Sequence, residues 1–118
     1  MFMRKLILIP MFCMLPILAH AHAHLLRSVP VAQSTGIAPD QITLEFNEAA
    51  RLTALTLTQD GAKEAQKITP LPTEVQQVFH IKAPTLKPGS YILTWHAMGD
   101  DGHLTSGTVR FTVTAQGT

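Results

Sequence analysis

Apolar and polar residues alternate along most of the chain from about residue 41 onward. In "ITLEF" the apolar residues Ile42, Leu44 and Phe46 fall on one face, with Thr43 and Glu45 on the other. The stretches "ALTLT", "VFHIKA", "SYILTWHA" and "TVRFTV" repeat this period of two. Such alternation predicts half-buried β-strands, and no window longer than a couple of turns has the period of a helix.

Turn-forming residues separate these short apolar stretches. Asp60-Gly61 and Pro88-Gly89 each follow or precede a predicted strand, at spacings typical of an all-β domain. The pattern predicts an antiparallel sandwich or small barrel, with Trp95 as a core residue. The longest polar connection, "AMGDDGHLTSG" from Ala97 to Gly107, is predicted as a loop, and such loops often carry function.

The first residues have the layout of a secretory signal peptide. Arg4 and Lys5 precede an apolar run over residues 6–18, and alanine follows at positions 19, 21 and 23. The apolar run is shorter than the roughly 20 residues that a membrane-spanning helix needs. Cleavage after any of the three alanines leaves a histidine as the first residue, which is His20, His22 or His24.

Removal of this leader changes the charge and the cysteine content of the chain. The 118 residues carry a formal charge of +1, and loss of Arg4 and Lys5 leaves −1, with no basic stripe to bind nucleic acid or an anionic membrane. The single cysteine, Cys13, is also lost, so disulfides and thiolate metal sites are excluded. The remaining residues suffice for one domain, which we expect to be a monomer.

Two pairs of potential metal ligands have the same spacing. His22 and His24 are two positions apart, as are Asp101 and His103, and in an extended segment such residues project to the same side. Gly102 gives the second pair backbone freedom. A histidine at a free N-terminus can chelate a metal through its α-amine and Nδ1. Nitrogen and oxygen donors without sulfur suit Cu(II), with tetrahedral Zn(II) as the main competitor.

The chain contains further potential metal ligands outside these two pairs. Glu48 ends "LEFNE", where it could be a solvated carboxylate or could support a metal ligand. Met98 is the only methionine after the leader, so a thioether cluster for Cu(I) is excluded. His80 is expected at the surface, and His96 is expected either at the surface or as a group that supports a metal ligand.

Three segments together resemble the CopC family of periplasmic copper-binding proteins: "HAHLLRSVP", "LEFNE" and "YILTWHAMGDDGHLTSGTVRFTV". The most specific features are a first histidine followed eight residues later by proline, as in His22 and Pro30, and the Trp…Asp-Gly-His…Gly pattern. The resemblance covers essentially the whole chain after the leader. It implies that residues 1–21 are the signal peptide and that residues 22–118 form the copper-binding domain.

The resemblance also implies a fold and a site. The fold would be an immunoglobulin-like Greek-key β-sandwich or barrel of about seven antiparallel strands. The site would hold Cu(II) through the amine and ring of His22 together with Asp101 and His103, with Glu48 nearby in some members and His24 as an auxiliary group. Family members with two sites carry a methionine-rich loop for Cu(I), which this sequence lacks.

Two functions are compatible with such a site. The first is a periplasmic Cu(II) carrier or buffer in copper homeostasis or resistance, delivering to an inner-membrane copper transport protein. The alternative is a copper-dependent oxidative enzyme that uses the same N-terminal histidine arrangement. Asp101 favours the carrier, because its negative charge would oppose reduction to Cu(I), so we expect a protein that is not an enzyme.

Overall fold

The computed structural model describes Pro10 and residues 22–115, and the predicted signal peptide lies outside this part except for Pro10. Seven strands follow one another along the chain: β1 (Leu25–Val29), β2 (Ser34–Gly36), β3 (Gln41–Gln59), β4 (Gln66–Lys67), β5 (Gln76–Lys82), β6 (Gly89–Gly99) and β7 (Leu104–Val113). The described residues contain no helix that is long and apolar enough to cross a membrane. The all-β prediction is confirmed.

The strands form one curled sheet in the order β1-β3-β6-β7-β2, with β4 and β5 also paired to β3. The first part of β3 lies between β1 and β5, and its second part pairs with β6. All pairings are antiparallel except that of β2 with β7, which is parallel. β1 and β7 are not paired with each other over the described residues, and a groove of about 1060 Å³ lies between them.

Alternate side chains of the long strands fill a single apolar core. Phe46 packs edge-on against Phe79 and Trp95, with ring centroids 5.8 Å and 5.1 Å away. Trp95 is 5% exposed, as predicted for a core residue. Gly107 on β7 lies directly over its indole, where a Cβ atom would come within 2.6 Å of Cζ2. The neighbouring strand can therefore approach the tryptophan because it carries no side chain there.

Two strand boundaries differ from the sequence prediction. "ITLEF" and "ALTLT" belong to one continuous strand, β3, whose pairing is irregular between Glu45 and Ala50. The strand continues there because it exchanges partners, from β1 and β5 to β6. The predicted loop from Ala97 to Gly107 is wrong in extent: most of it pairs in the β6–β7 ladder, and only residues 100–103 lie outside the strands.

Candidate metal centre

Residues 100–103 form the tip of the β6–β7 hairpin, which holds Asp101 and His103. Gly102 has a φ of +78°, a conformation that favours glycine, and its N–H donates to the Gly99 carbonyl at 3.0 Å. The Gly99 N–H donates to the His103 carbonyl at 3.2 Å. The expected proximity of Asp101 and His103 is therefore produced by a turn around Gly102, and the extended geometry assumed from their spacing is wrong.

The Asp101 carboxylate accepts two hydrogen bonds from His103. The backbone N–H of His103 donates to Oδ1 at 3.0 Å, and its ring Nδ1 lies 2.8 Å from Oδ2. Hydrogen bonds to the ionised form favour it, so these contacts, backbone first and then ring, lower the pKa of Asp101 below its ordinary value. The hairpin tip thus presents a carboxylate that is ionised at neutral pH and an imidazole whose orientation is fixed.

His22 completes the group from the segment just before β1. Its Nδ1 lies 3.6 Å from Asp101 Oδ2, and its ring centroid lies 5.4 Å from that of His103. One potential ligand atom from each of these three residues lies within 4.8 Å of the others. Although the side chain of His22 is 43% exposed, its Nδ1 is buried and has no hydrogen-bond partner in the structure. An unpaired buried polar atom is costly, and a metal ion would satisfy it.

The other predicted site residues lie outside this group. His24 is exposed, and its backbone N–H donates to Asn47 Oδ1 at 2.6 Å. Carboxylate oxygens of Glu48 and Asp101 both lie beside Gly99, on the side where a Cβ atom would be. A Cβ there would lie 2.8 Å from Glu48 Oε1 and 3.3 Å from Asp101 Oδ1. Glu48 therefore borders the centre and is not one of the three converging residues.

His80 and His96 are both exposed, as expected. His80 Nδ1 lies 3.2 Å from Thr43 Oγ1, and His96 pairs in the sheet between Ala54 and Ser106. Neither belongs to the group of converging ligands found among residues 22–115.

Three residues that sequence reasoning passed over also shape the centre. Asn47 and Thr105 hydrogen-bond to the backbone of residues 22–24, and Gly99 leaves room for two carboxylates. Asn47 lies in the quoted "LEFNE", but its partners lie 23 and 25 residues away along the chain, which no local pattern reveals.

The fold and this centre define a small all-β protein whose described residues hold a candidate metal site, built from two histidines and an aspartate at one end of a curled sheet. A CopC domain matches residues 25–114, so the chain belongs to the CopC family. The resemblance noted in the sequence is thereby confirmed. The matched residues include Asp101 and His103 but begin after His22 and His24.

Relatives in Escherichia coli extend the comparison. Protein YobA of strain K12 is 34% identical over 99 residues, covering 79% of this chain and 79% of YobA. Copper resistance protein C is 31% identical over 105 residues, covering 80% of this chain and 83% of that protein. The crystal structure of PcoC, a methionine-rich copper resistance protein, matches with a TM-score of 0.62 and 32% identity, over 80% of this chain and all of PcoC.

Proposed function

We propose that the cleaved protein binds one Cu(II) ion in the periplasm and carries or buffers it for copper homeostasis or resistance. The ligands are the α-amine and Nδ1 of His22, the Asp101 carboxylate and the His103 ring. The observation that carries this proposal is the convergence of the three side chains around a buried His22 Nδ1 that has no partner. Family membership and the relative named copper resistance protein C support copper as the metal.

The donor set favours the oxidised form of copper. Imidazole, amine and carboxylate suit Cu(II), whereas Cu(I) is selected by the soft sulfur of cysteine and methionine. Among residues 22–115, Met98 is the single methionine and there is no cysteine. PcoC, by contrast, is described as methionine-rich. We therefore propose a single Cu(II) site and no Cu(I) site.

The α-amine becomes available only if cleavage occurs before His22. We propose residues 1–21 as the signal peptide and residues 22–118 as the copper-binding domain, exported as a monomer to the periplasm. An inner-membrane copper transport protein is the proposed recipient. Nucleic acid is not a proposed partner, because the charge of the cleaved chain is −1 without Arg4 and Lys5.

A binding protein accounts for the site better than an oxidative enzyme does. All the phenylalanine, tyrosine and tryptophan side chains of the described residues are buried: Phe46, Phe79, Tyr91, Trp95 and Phe111. This part of the chain thus presents no aromatic surface for a polysaccharide, and the Asp101 charge opposes reduction of the metal. Peroxide or oxidised sugar released by the copper-loaded protein with ascorbate would contradict the carrier function.

The decisive experiment compares protein that begins at His22 with protein that retains one alanine before it. The extension converts the amine into an amide and removes a ligand, so we expect Cu(II) affinity to fall by orders of magnitude in competition titrations. A protein with one alanine added after Thr118 controls for length and should bind like the unextended form. Equal binding by the two N-terminal forms would contradict the proposal. Mass spectrometry of the periplasmic protein should show His22 as the first residue and one copper ion.

A further inference from the structure

We propose that Asn47 is a positioning residue of the metal centre. Its side-chain amide holds residues 22–24 in place, so that His22 faces the hairpin tip before any metal binds. The inference rests on the proposed function, because it assumes that His22 is a copper ligand. Asn47 itself touches only the backbone of the segment and is not one of the converging ligands.

Three hydrogen bonds join Asn47 to this segment. Its Oδ1 accepts from the backbone N–H of His24 at 2.6 Å, and its Nδ2 donates to the His22 carbonyl at 3.2 Å. Its own backbone N–H donates to the His24 carbonyl at 2.9 Å. The two side-chain bonds need one donor and one acceptor at adjacent atoms, which a primary amide provides and a carboxylate does not.

The Asn47 side chain makes the hydrogen bonds to residues 22–24 that the backbone of a neighbouring strand would otherwise make. Pairing of β1 with β3 begins at Leu25 opposite Phe46, with a register shift between Leu25 and Arg27, and β3 pairs with β6 from Ala50 onward. Beyond the hydrogen bond from the Asn47 N–H to the His24 carbonyl, the backbone of residues 22–24 therefore has no strand beside it with which to pair. The amide supplies the next acceptor and donor in that direction and extends the pairing by the two residues that lead to His22.

The opposite side of the segment is held as well. Thr105 Oγ1 on β7 donates to the Ala23 carbonyl at 3.0 Å, and the Ala23 side chain is 1% exposed within the core. All three carbonyls of residues 22–24 thus accept hydrogen bonds from β3 or β7. The first residues of a domain are normally poorly ordered unless they are tied down. Here folding orders them, so copper binding need not do so.

Removal of the amide should therefore weaken copper binding without removing a ligand. Ordering the backbone of one residue costs about 1–2 kcal/mol, which corresponds to roughly a tenfold change in affinity for each residue released. We expect Asn47→Ala to lower Cu(II) affinity by about tenfold to a hundredfold in protein that begins at His22. Asn47→Ser, whose short hydroxyl group can satisfy one of the two partners, should give an intermediate loss. Ser90→Ala removes a side-chain contact to Thr112 on β6 and β7, away from the centre, and should change nothing.

A double-mutant cycle separates positioning from general destabilisation. If Asn47 acts by holding His22 opposite His103, Asn47→Ala should cost little further affinity in a His103→Ala background. Additive losses in the two backgrounds would overturn the proposal. A second readout uses metal-free protein: nuclear Overhauser contacts between the rings of His22 and His103 should be present in the wild type and absent in Asn47→Ala, whereas contacts of Trp95 persist. Unchanged ring contacts would overturn it as well.

Failure of the inference is distinguishable from failure of the proposed function. If protein that begins at His22 does not bind Cu(II), the proposed function is wrong, and the positioning role fails with it. If it binds Cu(II) and Asn47→Ala binds equally well with a normal thermal transition, only the positioning role is wrong.

Discussion

Gly99→Ala should disturb the metal centre without changing any proposed ligand. Gly99 is buried at the end of β6, and a Cβ atom there would lie 2.8 Å from Glu48 Oε1 and 3.3 Å from Asp101 Oδ1. The Glu48 carboxylate ends a flexible side chain and can move away. Asp101 cannot move as freely, because its two oxygens accept hydrogen bonds from His103. The added methyl group should therefore loosen the tie between Asp101 and His103.

The expected magnitudes follow from these distances. Moving Glu48 to an unfavourable rotamer costs about 0.5–1.5 kcal/mol, so the free energy of unfolding should fall by about 1 kcal/mol. For a domain of this size that corresponds to a Tm lower by roughly 4–8 °C. Displacing a residue that orients a metal ligand typically costs about 10–100-fold in affinity, and the contact at 3.3 Å places this variant near the lower limit.

The assay is a pair of measurements on protein that begins at His22: thermal unfolding without metal and competition titration with Cu(II). Gly36→Ala is the matched control, because a Cβ at that glycine of β2 meets nothing within 4 Å. It should leave both quantities unchanged. If Gly99→Ala binds Cu(II) as tightly as the wild type, the Asp101 carboxylate is not held against Gly99 in the way described. An equal loss in Gly36→Ala would refute the reasoning too.

Three further predictions concern the ligands. His103→Ala should open one position to water, and electron paramagnetic resonance of the Cu(II) form should report one nitrogen fewer; an unchanged count would assign the role to another histidine. The lowered pKa of Asp101 means that its stabilising contribution to the metal-free fold is present above pH of about 4 and is lost as pH falls through the folded value, so a carboxyl carbon NMR titration should place the Asp101 midpoint below the ordinary value of an aspartate. In protein that begins at His22, His24 is the third residue, and at high pH its imidazole can bind Cu(II) together with the α-amine and two deprotonated backbone amides. His24→Ala should therefore lose this alkaline spectral form but keep its Cu(II) affinity at neutral pH, where the His24 N–H is bonded to Asn47. A large loss at neutral pH would make His24 a primary ligand.

The sequence contained enough information to predict the fold class and the three converging residues. Alternation of apolar residues depends on side chains that are adjacent in the same strand, so the core strands were recognisable from local pattern alone. Asp101 and His103 were recognisable as two potential ligands two positions apart, although a turn around Gly102, and not an extended segment, brings them together. The cleavage pattern predicted a histidine at the N-terminus but left His20, His22 and His24 open, and the resemblance to the CopC family selected His22.

The remaining features depend on contacts between distant segments. The exchange of partners along β3 leaves no mark in its sequence, since Asn47, Glu48 and Ala49 look like the end of a strand. The hairpin is longer than predicted because polar residues such as Thr105 and Ser106 pair in the ladder with their side chains outside the core. The position of Glu48 beside Gly99 follows from how β3 and β6 pair, which composition and spacing do not show.

The gap between β1 and β7 gives the proposed copper ion a mechanical consequence. Two hydrogen bonds span the gap near its ends, from Thr105 to Ala23 and from the Gln33 N–H to the Arg110 carbonyl. Copper held by His22 just before β1 and by His103 just before β7 would cross-link the two sides of this gap. An ion that binds only the folded state adds about 2.7 kcal/mol of stability when its free concentration is 100 times its Kd. The copper content of the compartment would then shift the equilibrium toward the folded state in which the first strand is paired on the sheet.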